Sequence, residues 1–302
     1  MNTDLDTLLI ALYVVLTDRI MPSLTSATGP GRAPEVTDAE LVCLAVAQAH
    51  LGFVNERKWL RAAPKLVGHL FPRLLSQPAY NRRLRSLGTV MQRAVYWFAE
   101  DCPSSADVVR LLDGTKIICG MSRTTAQHSN LAGYCGYGFD KSHSLYFWGC
   151  KLLLDVTADG LVTGFILVNP KLHDEREAVT LMQHYPCSAM RPGTTAVTDK
   201  GFRSKTFEAS LAGQGVILIR PVMKGEHDPG VFPKWFRNRV ESVIETLKGQ
   251  LGIEHPGAHE PSGLFARVVL RILALNAAIW HNWITGAQIK RSLTAYDHCP
   301  AS

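Results

Sequence analysis

Three carboxylates in this chain stand where acid-based chemistry could use them. Asp113 interrupts the apolar run VVRLLDGTKII. A carboxylate on such a strand is costly to bury unless a cation or several donors compensate it. It therefore reaches a cleft, holds a metal, or marks a strand that frays at Gly114. Asp199 closes the short apolar run of AVTDKGF, just ahead of a Lys-Gly loop. Ligands gather at strand ends in mixed α/β sheets, and an acid there can share a site with one on a neighbouring strand; a plain turn before Gly201 would use the same residue. Glu241 lies in RNRVESVIETLK. There Arg237, Glu241, Glu245 and Lys248 share one helical face, opposite Val240, Val243, Ile244 and Leu247. Taken alone, that face is an ordinary i,i+4 ion-pair ladder. The set changes the weighing, because the chain has no G-x-S-x-G, Walker A, G-x-G-x-x-G or H-E-x-x-H to compete with it.

These acids need a scaffold, and the hydropathy pattern supplies one. Val108 to Ile118, Leu145 to Val156 and Leu161 to Val168 read as strands, the last two joined at Ala158-Asp159-Gly160 in a tight turn. A helix from His173 to His184, a short strand at Thr195 to Thr198, a helix from Lys205 to Ala212, a strand at Gly215 to Pro221 and a helix from Lys234 to Gln250 follow. The expected order is β-β-β-α-β-α-β-α, an α/β unit with a mixed sheet. A last, mostly apolar helix from Gly263 to about Trp283 should pack on that sheet. Asp174 with Glu177 reads as a helix-capping pair. The Gly-rich GYCGYGFDKSHS, with His143 and Lys141, is either a mobile loop or an approach to DNA. Trp148, Trp235, Trp280 and Trp283 could stack on bases, but large aromatics are mostly core.

Upstream, residues 1 to about 102 read as short helices. Leu8, Leu9, Leu12, Val15 and Leu16 keep helical spacing, Thr37 and Glu40 form a capping-box pattern, and Ala79 to Glu100 suits one longer helix. The 302 residues carry 32 Lys+Arg against 26 Asp+Glu, a net of +6. From Phe53 to Phe98 there are nine Lys/Arg and one acid, so this segment alone exceeds the charge of the whole chain. Clustered Lys/Arg release counterions on binding DNA, although a solvated helical face carries charge equally well. The division expected is a helical basic DNA-binding domain at 1–102 and a catalytic domain at 103–302. Seven cysteines without a C-x-x-C pair argue against a disulfide framework or a thiolate zinc site, and the apolar stretch from Leu8 to Leu16 is too short to span a bilayer. A cytoplasmic, non-membrane protein is the expectation.

LLDGTK around Asp113, the YFWGCKLLL…DG hairpin, the step Leu172-His173-Asp174, VTDKGF around Asp199, and RVE followed by Lys248 together resemble the DDE transposases of bacterial insertion sequences. Within them the chain is most similar to the family numbered 982, which also carries a segment like YNRRLRSL at Tyr80 to Leu87. The resemblance implies a ribonuclease H-like sheet and a catalytic triad of Asp113, Asp199 and Glu241. It also implies cleavage of insertion-sequence ends with strand transfer into target DNA, and action as a homodimer on DNA in or near the bacterial nucleoid. Arg239-Val240 before Glu241 favours it over Glu245 as the third acid. Three acids without paired histidines or thiols suit a hard divalent ion, Mg²⁺ or Mn²⁺. Asp113 would bridge two ions, with Asp199 and Glu241 each holding one, while Arg82, Arg83, Arg85 and Lys248 would meet phosphates. Two other classes remain: a sequence-specific DNA-binding protein without catalysis, and a metal-dependent nuclease that does not join strands.

Overall fold

The computed structural model describes residues 3–24, 34–120, 123–140, 144–171, 175–182, 189–222, 225, 234–254, 256–289 and 293–296. Leu172, His173, Asp174, Lys141 and His143 lie outside them. The chain forms two compact units, Met1–Phe98 together with Thr246–Ser302, and Ala99–Glu245. The first division falls between Phe98 and Ala99, and Thr246–Ser302 groups with the helices and not with the sheet.

The first unit is built from α1 (Thr3–Val15), α2 (Asp38–His50), α3 (Glu56–Leu66), α4 (Gln77–Ser86), the start of α5 (Gly88–Asp101) and α10 (Pro261–Ile284). Thr37 caps α2 as expected: its hydroxyl accepts from the Glu40 amide at 3.2 Å, and Glu40 accepts from the Thr37 amide at 2.6 Å. The helix expected over Ala79 to Glu100 is instead two helices that meet at Leu87. A Cβ at Gly88 would sit 2.8 Å from the Phe265 ring, so α5 starts where α10 presses closest. α10 is the larger departure. It packs against α1, α2 and α4, and by length and composition it could cross a membrane, yet 83% of its most apolar stretch is buried. A helix apolar all round buries itself wherever apolar neighbours lie, and here those are helices.

The second unit is a six-stranded sheet of β1 (Val109–Gly120), β2 (Gly136–Asp140), β3 (Leu145–Thr157), β4 (Val162–Val168), β5 (Thr195–Val197) and β6 (Ile217–Ile219). β3 runs antiparallel to β1 on one side and to β2 and β4 on the other, while β5 lies parallel to both β1 and β6. The helices are α6 (Arg123–His128), α7 (Glu175–Met182), α8 (Lys205–Gly213) and α9 (Lys234–Glu245). Leu112, Leu153, Val168 and Ala196 form a core on one sheet face with Val179 of α7 and Phe207 and Leu211 of α8. α9 lies against β1, and its buried Val240, Val243 and Ile244 are no part of that core, which puts it on the other face. β2 is a strand that hydropathy could not show, because GYGFD alternates glycine with aromatic residues. A Cβ at Gly138 would lie 2.5 Å from the Phe147 ring, so the glycine is what lets β2 close on β3.

Candidate active site

The register of the parallel pair decides how Asp113 and Asp199 relate. Val109 faces Thr195, Arg110 faces Ala196 and Leu111 faces Val197, a constant offset of 195 − 109 = 86. Asp199 lies two residues past Val197, the last paired residue of β5, and the same offset carried on would bring it to the level of Asp113, since 199 − 86 = 113. The Thr198 amide donates to Ile219 O of β6 at 2.9 Å. Asp113 is half-buried opposite Leu154, and its Oδ1 accepts from the Gly114 amide at 2.7 Å. Asp199 is exposed and caps the short turn Lys200–Phe202, accepting from the Gly201 amide at 2.8 Å. Odd-numbered β1 residues face away from the Leu112 core, so Asp113 belongs to the face that carries α9.

Glu241 is placed differently. It is exposed on α9, the helix against β1. Arg239 anchors that helix: its guanidinium donates to Ala158 O at 3.0 Å and to Asp159 O, both in the β3–β4 turn. Burial pulls the Arg239 pKa below its ordinary value. The structure thus places Asp113 on β1, Asp199 just past the end of β5, the parallel strand paired with β1, and Glu241 on the helix against β1. Among the described residues, however, no group of three or more His, Cys, Asp or Glu could hold a metal. Lys248 does not continue the α9 face, because Thr246–Gln250 is a π-helical turn, whose wider winding breaks the 100° step that the sequence spacing assumed. Its ammonium lies 3.3 Å from Glu254, within the helical unit.

The basic segment also sorts itself. Arg83 donates to Val36 O at 2.7 Å and pairs with Asp38 at the start of α2, and Arg85 pairs with Glu260 at the start of α10. Of the three arginines expected at DNA, Arg82 is the exposed one. Arg57, Arg61 and Lys65 recur every four residues along α3 and are exposed with Lys58, so they form a positive stripe. Sequence reading missed one further charged pair: Arg110 on β1 and Asp155 on β3, buried in the sheet. Arg110 donates to Ser105 O at 2.9 Å, lies 3.4 Å from Asp155 and contacts Thr163. Burial raises the Asp155 pKa to about 6, against the opposing pull of Arg110. The signal was LLLDV, an acid inside an apolar run, the same pattern that singled out Asp113.

Strand order and layers define a mixed α/β sheet flanked by helices. The chain is similar in structure to the piggyBac transposase of a cryo-EM synaptic complex with hairpin DNA, with a TM-score of 0.50 at 7% identity, covering 96% of this chain and 76% of that one. No family model matches the chain, and no curated protein matches it.

Proposed function

We propose that this protein is a DNA transposase of the bacterial insertion-sequence kind, similar to the family numbered 982. It would bind element ends through its helical unit and cut and join DNA at Asp113 and Asp199 with Glu241. The observation that supports the reading is the parallel pairing of β1, which carries Asp113, with β5, which Asp199 follows by two residues. The strand order, with four strands β1 to β4 joined by antiparallel pairings and β5 and β6 added parallel to β1, supports the ribonuclease H-like assignment.

Two carboxylates side by side at the end of a parallel pair are a fitting donor set for a hard divalent cation such as Mg²⁺ or Mn²⁺, and Asp113 and Asp199 would hold it. Bound there, the ion would supply charge that activates an attacking oxygen and stabilises the leaving one in an in-line displacement at phosphorus. The chain's own residues set the geometry. β1 fixes Asp113, the Lys200–Phe202 turn fixes Asp199, and Arg239 fixes the helix from which Glu241 would complete the set. Phosphates would meet the α3 stripe and Arg82, with Lys248 as a further cation for the backbone, and a homodimer would pair two ends.

The test is an end-cleavage and strand-transfer assay on fragments of the flanking DNA. Asp113→Asn and Asp199→Asn should each abolish Mg²⁺-dependent cutting and leave duplex binding intact. Binding that ignores Mg²⁺ with no cutting by the parent protein would make this a DNA-binding protein, and cutting without joining would make it a nuclease.

A further inference from the structure

The β2–β3 ribbon carries a row of four aromatic rings, three of them exposed. Tyr137 pairs with Trp148, and Phe139 with Tyr146. Residues two apart on a strand share a face and cross-strand partners stand together, so all four rings line one side of the ribbon. Trp148 is buried at its base, whereas Tyr137 is 42% exposed, Phe139 45% and Tyr146 77%. The Phe139 and Tyr146 rings are tilted against each other with centroids 4.7 Å apart. The Lys171 ammonium lies 5.6 Å from the Tyr137 ring centre. Beside the row is an open cavity of about 440 Å³, lined by Tyr137, Trp148, Gln127 and Lys171.

The row and Asp113 lie along one face of the sheet, with the buried Cys150, Leu152 and Leu154 between them. β3 carries its face from Trp148 through Cys150 and Leu152 to Leu154, which stands opposite Asp113. Six residues at about 3.3 Å each put the base of the row roughly 20 Å from the acid level, on the same side of the sheet. An exposed apolar row of this kind marks an interaction site more often than an accident of folding.

We propose that the ribbon is a stacking platform for unpaired nucleobases, seating a single DNA strand whose end reaches Asp113 and Asp199. The inference rests on the reading of those acids as the reacting centre. Each base offers a π-face whatever its identity, and exposed rings at successive strand positions offer matching faces. Among the described residues, the charged group set over a ring of the row is Lys171, which suits a phosphate backbone and not a basic partner. The cavity beside Tyr137 and Trp148 has the scale of a base turned out of the strand.

The experiment titrates the full chain with a fluorescein-labelled single-stranded oligothymidylate and with a duplex of equal length, following anisotropy. Phe139→Ala with Tyr146→Ala should weaken single-strand binding about tenfold for each ring removed and leave duplex binding unchanged. Tyr146→Phe keeps the ring and should restore binding, which separates stacking from misfolding. Single-strand binding lost with the rings in a parent protein that does not cut DNA would overturn the catalytic reading and leave the platform standing. Unchanged single-strand affinity in the Ala variant would overturn the platform. So would an equal loss for duplex and single strand. A drop in sedimenting mass with oligothymidylate affinity intact would assign the row to a second copy of this chain instead.

Discussion

The two compact units use charge in opposite ways. In the helical unit, arginines tie helices to one another at their ends: Arg83 to Asp38, Arg85 to Glu260, and Arg267 to Glu56 at 2.6 Å, where Glu56 also accepts from Asn81. In the sheet unit, Arg110 and Asp155 are sealed in the interior, and two acids are held at the end of a parallel strand pair. Charge on a helix can be recruited by any neighbour within reach of a long side chain, so its role follows from packing. Charge on a strand is placed by backbone register to within one residue, so its role follows from pairing. The functional reading is therefore anchored more firmly at Asp113 and Asp199 than at any single arginine.

The comparison breaks most visibly at the acids. Asp113→Asn or Asp199→Asn should lower the Mg²⁺-dependent cleavage rate by about a thousandfold or more, since losing several kcal/mol of charge stabilisation costs about tenfold per 1.36 kcal/mol. Retained cleavage in either variant would remove it from the catalytic set.

Next in size is the sealed pair. Arg110→Met should destabilise the fold at neutral pH by about 3–5 kcal/mol, because it leaves Asp155 buried without its cation. The pKa of Asp155 already stands above its unfolded value, at about 6. The folded state therefore holds that proton where the unfolded state has lost it, and stability falls as pH rises through the interval between the two pKa values. Losing Arg110 lifts the folded pKa further, so the defect should shrink as pH is lowered from 7 towards 5. Thermal melts of both proteins across that range check it; a defect independent of pH would mean that Asp155 is not the group responsible.

A smaller effect sharpens the contrast within the helical unit. Replacing Arg57, Arg61 and Lys65 with Ala should flatten the log–log salt dependence of duplex binding by about 0.9 for each phosphate no longer neutralised. Arg83→Ala and Arg85→Ala should lower the melting temperature while changing that slope little. The reverse pattern would return the DNA surface to α4. Smallest is the comparison between neighbouring glutamates: Glu241→Gln should remove cleavage, whereas Glu245→Gln, one turn further along α9, should cost little. Activity lost only in Glu245→Gln would move the third acid by that turn.

Much of this was legible in the sequence. β1, β3 and β4 appear as apolar runs, the β3–β4 turn as Ala158-Asp159-Gly160, and the cap of α2 as Thr37 with Glu40, because each signal is local. What stayed hidden is non-local. The partner of α10 could not be read, since an all-round apolar helix has no face to give it away. β2 was obscured by glycines that leave no hydropathy alternation. Arg83 and Arg85 looked available because Asp38 and Glu260 lie far away along the chain. The two aspartates were each visible, but the parallel pairing of the strands that lead to them is a property of strand register, which no single segment encodes.

The interleaving of the units bears on synthesis at the ribosome. The sheet unit is one continuous stretch, Ala99–Glu245, while the helical unit needs both Met1–Phe98 and the segment beginning at Thr246. At about 5–20 residues per second, the 245 − 98 = 147 residues between them take roughly 7–30 s to emerge. Throughout that delay the apolar sides of α1, α2 and α4 that α10 will cover face water or a chaperone. The nascent chain is thus ordered last where it was translated first, and its exposure to aggregation and proteolysis is greatest before the final helix arrives.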